Sequence, residues 1–289
     1  MSVSGEGTLR PRIAVLVTCH NRRNTTLAAL AAVMQSGRPV AEMSIFLVDD
    51  GSTDGTGEAV AERYREAHVI RGDGNLFWAA GMCLAERAAR QVDPDYFLWL
   101  NDDTQVDHNA VPVLLGLAQR YPRSVLVGAT CDPLSGQPTY GARRRRGRHP
   151  QRLHRIDVSD RIQLADSFNG NLVLVPRNVR AAIGPIDGLF PHAYADDDYG
   201  LRATAVGIAV IQAPGTLGSC SLNTAELGGL GITGRWRAIE SPKGAPWRAQ
   251  ARFLRRHAGP EWPAILMLGL LRRLQSIGSA SRGAPEGTG

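Results

Sequence analysis

Between residues 13 and 129 the chain alternates short β-branched or apolar runs with longer segments whose apolar residues fall three and four positions apart. That pattern admits few folds, since strands separated by amphipathic helices pack as layers around a mostly parallel sheet. Residues 13–18, 44–49, 68–70, 96–100 and 125–129 read as strands. Residues 25–35, 56–67, 79–91 and 109–120 read as the helices that cover them. The expected fold class is therefore α/β, with a Rossmann-like central sheet flanked by helices. From 130 to 166 the periodicity gives way to Gly, Pro, Arg and Gln, which marks an excursion off the sheet such as an active-site lid or acceptor loop. Strands resume at 171–175 and 208–213 around a helix at 196–206, residues 220–245 read as Gly-rich and irregular, and 247–257 and 263–277 as helical. Residues 1–11 read as a flexible N-terminus and 279–289 as a disordered tail.

With 289 residues, 43% of them hydrophobic and 21% charged, the chain can bury a core without disulfides or a structural metal. Cys19, Cys83, Cys131 and Cys220 form no C-x-x-C pair, which argues against a zinc ribbon or disulfide framework and for a reducing cytoplasm. The formal net charge of +6 is unevenly spread: residues 227–289 hold ten Arg or Lys against three Glu, and residues 143–161 hold eight Arg against two Asp. Such islands meet phosphates, anionic lipid or nucleic acid, or are simply solvated loops. The first residues contain no apolar stretch of signal-peptide length, so export by that route is not expected. The longest apolar run, residues 262–271, has about half of the ~20 residues a membrane-spanning helix needs. Arg255, Arg256, Arg272 and Arg273 bracket it and Trp262 opens it, a pattern that suits a helix lying in a membrane interface, a core-packed helix or a dimer contact.

Ligands of open parallel sheets sit outside the carboxyl ends of the strands, and the informative residues fall there. The first strand ends in Thr18-Cys19-His20-Asn21-Arg22, the second in Asp49-Asp50-Gly51-Ser52 and the fourth in Asn101-Asp102-Asp103-Thr104. No glycine follows the first strand, and Gly72-Asp73-Gly74 lacks a third, so the G-x-G-x-x-G of an NAD or FAD enzyme is missing. A P-loop motif is missing too, and the short T-C-H-N-R-R turn does not supply the phosphate loop of a sugar-phosphate nucleotidyltransferase. Carboxylates remain. Asp50 can accept hydrogen bonds from a base or ribose, while Asp103 with Asn101 or Asp102 can hold Mg²⁺ or Mn²⁺, ions that keep several waters and share substrate phosphates. Taken singly, either turn is also ordinary helix-capping chemistry.

A third acidic cluster, Asp196-Asp197-Asp198, opens the helix after Ala195. Carboxylates in a first helical turn are favoured by the helix dipole, yet three exceed what capping needs. Asp196 and Asp198 project from different sides of that turn, so one can face a cleft as general base while the other holds a backbone or arginine partner. Phe77 and Trp78, beside Asn75, fit stacking on a sugar or base as well as a core wedge. His20 reads as a hydrogen-bonding bystander, and His192 as a bystander or a contact to acceptor or metal.

In order along the chain, V-T-C-H-N-R, V-D-D-G-S-T-D-G-T, G-D-G-N-L-F-W-A-A-G, L-N-D-D-T and D-D-D-Y-G-L-R-A resemble the blocks of the inverting, GT-A-fold glycosyltransferases of family two, above all their rhamnosyl and galactofuranosyl branches. The resemblance covers about residues 12–215, and five blocks in order are far more specific than any one. With it the chain divides into a catalytic domain at 12–225, made of a nucleotide-sugar-binding half (12–129) and an acceptor and catalytic half (130–225), and a helical extension at 226–278. Carried over residue by residue, the resemblance implies that Thr18, Asp49 and Asp50 hold the nucleoside, with Arg22 nearby and Asn75 and Trp78 in the nucleotide-sugar loop. Asn101-Asp102-Asp103 stands at the D-x-D metal motif, with Asp103 the direct ligand, Asn101 beside it and Asp102 toward the nucleotide sugar. Asp196 stands at the catalytic base, and Asp198 and Arg202 match the acidic and arginine positions after it; apart from the resemblance, His192 and Asp197 are expected as acceptor or supporting residues by their place at the start of that helix. Two departures are visible. Ala195 replaces the Glu of the family's E-D pair, and the stretch P-G-T-L-G-S-C-S-L-N lacks the metal-binding His that many members place there, implying weaker metal binding or a shell completed by water.

The implied reaction is a single in-line displacement at the anomeric carbon of a UDP- or dTDP-sugar, assisted by a divalent metal, onto a hydroxyl of a glycan, lipid-linked glycan or secondary metabolite. Rival readings are a nucleotidyltransferase and a non-catalytic protein that binds anionic lipid or nucleic acid through its arginines. Basic residues without interleaved aromatics argue against nucleic acid. A cytoplasmic chain in peripheral contact with the inner face of the membrane through its basic C-terminal helix, and a homodimer, are the expectations for location and assembly.

Overall fold

The computed structural model describes residues 10–223, 232–242 and 244–279. The expected disordered tail falls outside the described residues apart from Ser279, as does most of the expected flexible N-terminus. The first half alternates as its periodicity predicts: β1 (Arg12–Cys19), α1 (Arg23–Gly37), β2 (Glu42–Asp49), α2 (Thr56–Arg63), β3 (Ala67–Arg71), α3 (Phe77–Ala89), β4 (Tyr96–Leu100), β5 (Gln105–Val106), α4 (Ala110–Arg120) and β6 (Ser124–Cys131). Helix α2 stops four residues short of the expected end, because Tyr64 turns to an extended conformation (φ −124°, ψ 93°) and buries its ring in the core.

The second half follows with β7 (Ala142–Arg145), β8 (Leu153–Arg155), β9 (Gln163–Ala165), β10 (Ser167–Phe168), β11 (Leu172–Pro176), α5 (Arg177–Ile183), α6 (Ala195–Ala205), β12 (Ala209–Ser219), α7 (Ile232–Glu240), α8 (Trp247–His257) and α9 (Trp262–Ser279). The excursion at 130–166 is thus partly ordered. Its strands β7, β8 and β9 are three or four residues long, too short to show a period; β7 and β8 form a small antiparallel sheet with β10, which follows the excursion, while β9 pairs with β12. Helix α7 likewise lies inside the stretch expected to be irregular.

The main sheet runs β3-β2-β1-β4-β11-β6-β12-β5. Its first four strands are parallel, as expected, whereas β11 enters antiparallel between β4 and β6 and makes the whole sheet mixed. The run LVLVP is buried on both faces, so its side chains carry no mark of direction. Alternation along β1 sends Ile13, Val15 and Val17 to the layer under α1 and α4, and Ala14 and Leu16 to the layer under α3 and α6. A smaller apolar cluster joins Leu153, Phe190, Ala195 and Leu201 to Ala249 and Phe253 of α8, so α8 is packed onto the second half of the chain. Because β11 is antiparallel, its beginning reaches the same rim as the ends of β1 and β4: the Asn101 amide donates to the Asn171 carbonyl at 3.1 Å.

Candidate functional site

A cavity of about 1030 Å³ opens on that rim. Thr18, Arg22 and Asp50 line it together with Asn101, Asp102 and Asp103 and with Asp196, Asp197, Tyr194 and Phe253.

The two carboxylates of the D-D-G-S turn are put to different uses. Asp49 accepts from the amides of Ser52 (3.1 Å) and Gly57 (3.0 Å), which ties β2 to α2, and it does not line the cavity. Asp50 lines it and holds the loop after β3, accepting from Gly74 (2.8 Å) and Phe77 (2.9 Å). The approach is close: a Cβ at Gly51 (φ +70°) would stand 2.9 Å from the Gly74 nitrogen. Phe77 itself sits at φ +54°, a conformation that costs about 1–3 kcal/mol. The Asp50 contact holds that turn, which delivers Trp78 to the cavity wall. The Trp78 indole donates to Asn101 Oδ1 (2.8 Å) and meets Trp99 and His192 edge-on, so it is both core wedge and cavity wall. Asn75 is exposed, hydrogen-bonds Asp73 and does not line the cavity. His20 lines the rim with Nδ1 2.6 Å from the Asp50 carbonyl.

Arg22 donates to Asp102 (3.1 Å) and Asp103 (2.8 Å). Burial pulls the guanidinium pKa down, but the two carboxylates outweigh it and the net shift is upward. Asn101 turns its oxygen to Trp78 rather than to the acidic pair. Cys220 lies in the stretch where a histidine was sought: its thiol is 3.3 Å from Asp103 Oδ1, and Asn223 donates to Asp103 Oδ2 at 3.3 Å. Burial, with the charge of Asp103 added, pushes the Cys220 pKa up to about 12. Among the described residues no three His, Cys, Asp or Glu side chains cluster as a metal site. Two adjacent, partly exposed carboxylates with a substrate diphosphate and water do fit the sparse shell of Mg²⁺ or Mn²⁺.

The three aspartates of α6 diverge, as residues one helical position apart must. Asp196 lines the cavity and accepts from Gly170 (3.2 Å) and from the Asp197 amide (2.8 Å). Asp197 is buried against Arg143 (2.7 Å) and Ser167 (3.0 Å); burial, and then the charge of Asp196, raise its pKa to about 7 against the pull of Arg143. Asp198 points away into the protein, fully buried between Arg202 (2.8 Å), Arg256 (2.6 Å) and His257 (2.9 Å). Burial alone would raise its pKa; the His257 hydrogen bond and the two guanidinium groups outweigh that and hold it below the usual value. Arg202 also donates to the carbonyls of Ile183 and Pro185, so it braces the helix outside the cavity. Tyr194, in a left-handed conformation (φ 73°) ahead of α6, stacks on Phe253 at 5.1 Å and accepts from Gln151 (3.0 Å).

Thr18, Arg22, Asp50, Trp78, Asn101, Asp102, Asp103, His192, Asp196 and Asp197 therefore meet in one cavity, while Asp49, Asn75, Asp198 and Arg202 stand behind or beside it. Sequence reasoning missed Tyr140, Arg143, Gln151, Asn169 to Asn171, Asn223 and Phe253. The only signal was the arginine island that holds Arg143 and flanks Gln151.

A parallel half-sheet whose acidic strand ends line one cavity with an acidic helix defines a GT-A-type glycosyltransferase. Residues 14–171, more than half of the chain, match the model of Glycosyl transferase family 2, and the chain belongs to that family. Two strains of Mycobacterium tuberculosis, CDC 1551 / Oshkosh and H37Rv, each hold a relative 26% identical over 231 residues, covering 71% of this chain and 73% of the relative, an N-acetylglucosaminyl-diphospho-decaprenol L-rhamnosyltransferase. Among solved structures, a mannosyltransferase of Pyrobaculum calidifontis in complex with GDP-Man and Mn²⁺ matches with TM-score 0.56 at 14% identity, covering 98% of this chain and 78% of its own. The GalNAc-T7 structure with UDP, GalNAc and Mn²⁺ matches with TM-score 0.57 at 12% identity, covering 86% and 55%. The protein is thus an enzyme that transfers a sugar from a nucleotide sugar, on a GT-A fold.

Proposed function

We propose that the enzyme moves a deoxyhexose such as rhamnose from a dTDP- or UDP-sugar to an acceptor hydroxyl with inversion, Asp196 acting as general base. The observation that carries this is that the Asp196 carboxylate and the Asp102–Asp103 pair line one cavity. The nucleoside lies over Thr18 and Asp50, in the half formed by residues 12–129, and the diphosphate over Arg22. The acceptor lies between Trp78 of the first half and His192 and Tyr194 of the half formed by residues 130–225, with Phe253 of α8 beside it. The acceptor oxygen attacks the anomeric carbon as its proton passes to Asp196, and the bond from that carbon to the diphosphate breaks on the opposite face. Gly170 and the Asp197 amide orient the base, and Arg22 compensates charge on the departing diphosphate. A divalent cation, held by Asp103 with Asp102, would supply further Lewis-acid stabilisation of that leaving group. The relative's name makes a sugar on a polyprenyl diphosphate the first acceptor to try.

The test pairs a thermal-shift screen of nucleotide sugars, with and without Mn²⁺, with a transfer assay on the donor it selects. Asp196→Asn and Asp103→Ala should each lower turnover ~10²-fold or more with binding of donor retained in the first. Near-native rates in both would remove the assignment.

A further inference from the structure

The two arginine islands, separate in the sequence, become one surface in the fold. The hairpin of β7 and β8 packs on the C-terminal helices: Leu153 joins Ala249 and Phe253 in one apolar cluster, and Gln250 donates to Gln151 at 3.1 Å. Arg146, Arg148 and Arg152 stand exposed at that hairpin, and among the described residues none of them makes an ion pair. Arg272 of α9, exposed and likewise without an ion pair, comes near enough that its charge and that of Arg152 add to burial in lowering the pKa of His149.

Beside Arg272, α9 presents an apolar stripe. Its inner face buries Leu266 against α8, but Met267, Leu268 and Leu271 are 56%, 54% and 50% exposed. Three large apolar side chains on one outer helix face, with Arg272 next to them in α9 and three hairpin arginines that make no ion pair among the described residues, form an amphipathic surface of the kind that lies in a lipid headgroup layer. Gln151, on the hairpin beside Arg152, lines the cavity, so the surface adjoins it. No helix of the described residues is long and apolar enough to cross a membrane.

We propose that α9 and the β7–β8 hairpin dock the enzyme on an anionic bilayer, with Met267, Leu268 and Leu271 in the headgroup layer and Arg146, Arg148, Arg152 and Arg272 on the lipid phosphates. The partition is read without donor or turnover, so it stands apart from the transfer reading. The full chain is sedimented with vesicles of phosphatidylcholine alone and of phosphatidylcholine with phosphatidylglycerol, over a salt series. Binding should be confined to the anionic vesicles and weaken with salt. Replacing Arg146, Arg148 and Arg152 together by Ser should lower the partition ~100-fold, and Met267→Ser with Leu268→Ser and Leu271→Ser at least ~10-fold. Arg63→Ser with Arg65→Ser, at the opposite edge of the sheet, should leave it unchanged; melting temperatures establish that each variant is folded. Equal binding to both vesicle types, no binding to either, or an equal loss in the Arg63 and Arg65 variant would overturn the proposal. So would a salt-sensitive complex with a polynucleotide, or a dimer that masks the stripe, in place of vesicle binding.

Discussion

Replacing Asp198 by Asn keeps the shape of the side chain and removes a charge that is buried completely between two guanidinium groups and a histidine ring. Arg202 and Arg256 then face each other without the carboxylate, although carbonyls still hold Arg202 and Asp187 still holds Arg256. Breaking a buried pair from one side costs about 3–5 kcal/mol, and the remaining partners place this case at about 3. For a chain of this size that is a fall in Tm of about 5 °C. The pH dependence has a definite sign. The folded carboxyl titrates below its ordinary value, so its contribution is fully present above about pH 4 and is lost only as pH falls through the lower, folded value. Urea midpoints of wild type and Asp198→Asn should therefore differ by a constant amount from about pH 8 to about pH 5 and converge below about 4. Because Asp198 sits two positions from Asp196 in the same turn, the variant should also lose turnover more than donor affinity. A gap in midpoint that is absent at pH 7, or that closes between pH 7 and 5, would refute the reasoning.

Asp197 should behave oppositely: its carboxyl is raised to about 7, so the stability it contributes is complete below about pH 4 and lost as pH climbs through 7. Asp197→Asn should flatten that decline in urea midpoints measured from about pH 5 to about pH 8, and an unaltered slope would count against the buried carboxyl. Gly170→Ala should cost about 1–3 kcal/mol and lower transfer activity, since its Cβ would stand 2.5 Å from Trp78 Cζ2 and push the ring off Asn101; an unchanged Tm and rate would contradict the packing. Cys19 and Cys220 are buried, with thiols pushed well above the ordinary range, so mass spectrometry after iodoacetamide at about pH 8 should find both unmodified in the native protein.

The parallel half of the sheet was legible in the sequence because β1, β2 and β4 are local objects, each a short apolar run closed by polar residues. Parallel strands carry those closing residues to one rim, so Asp50 and Asp103 share a cavity by topology alone. The first turn of α6 was legible for a similar reason, since one helical step separates Asp196 from its neighbours and turns their carboxylates apart.

What lies beyond one element was decided only by the tertiary structure. The same pair, Asp49 and Asp50, reads alike in the sequence, yet the side-to-side alternation of a strand gives one to the start of α2 and the other to the loop after β3. The direction of β11 brings Asn171 to the rim, and long-range packing closes the cavity with Arg143 and Phe253. Such contacts join residues far apart along the chain, where hydrophobic period and local propensity carry no information about which surfaces will meet.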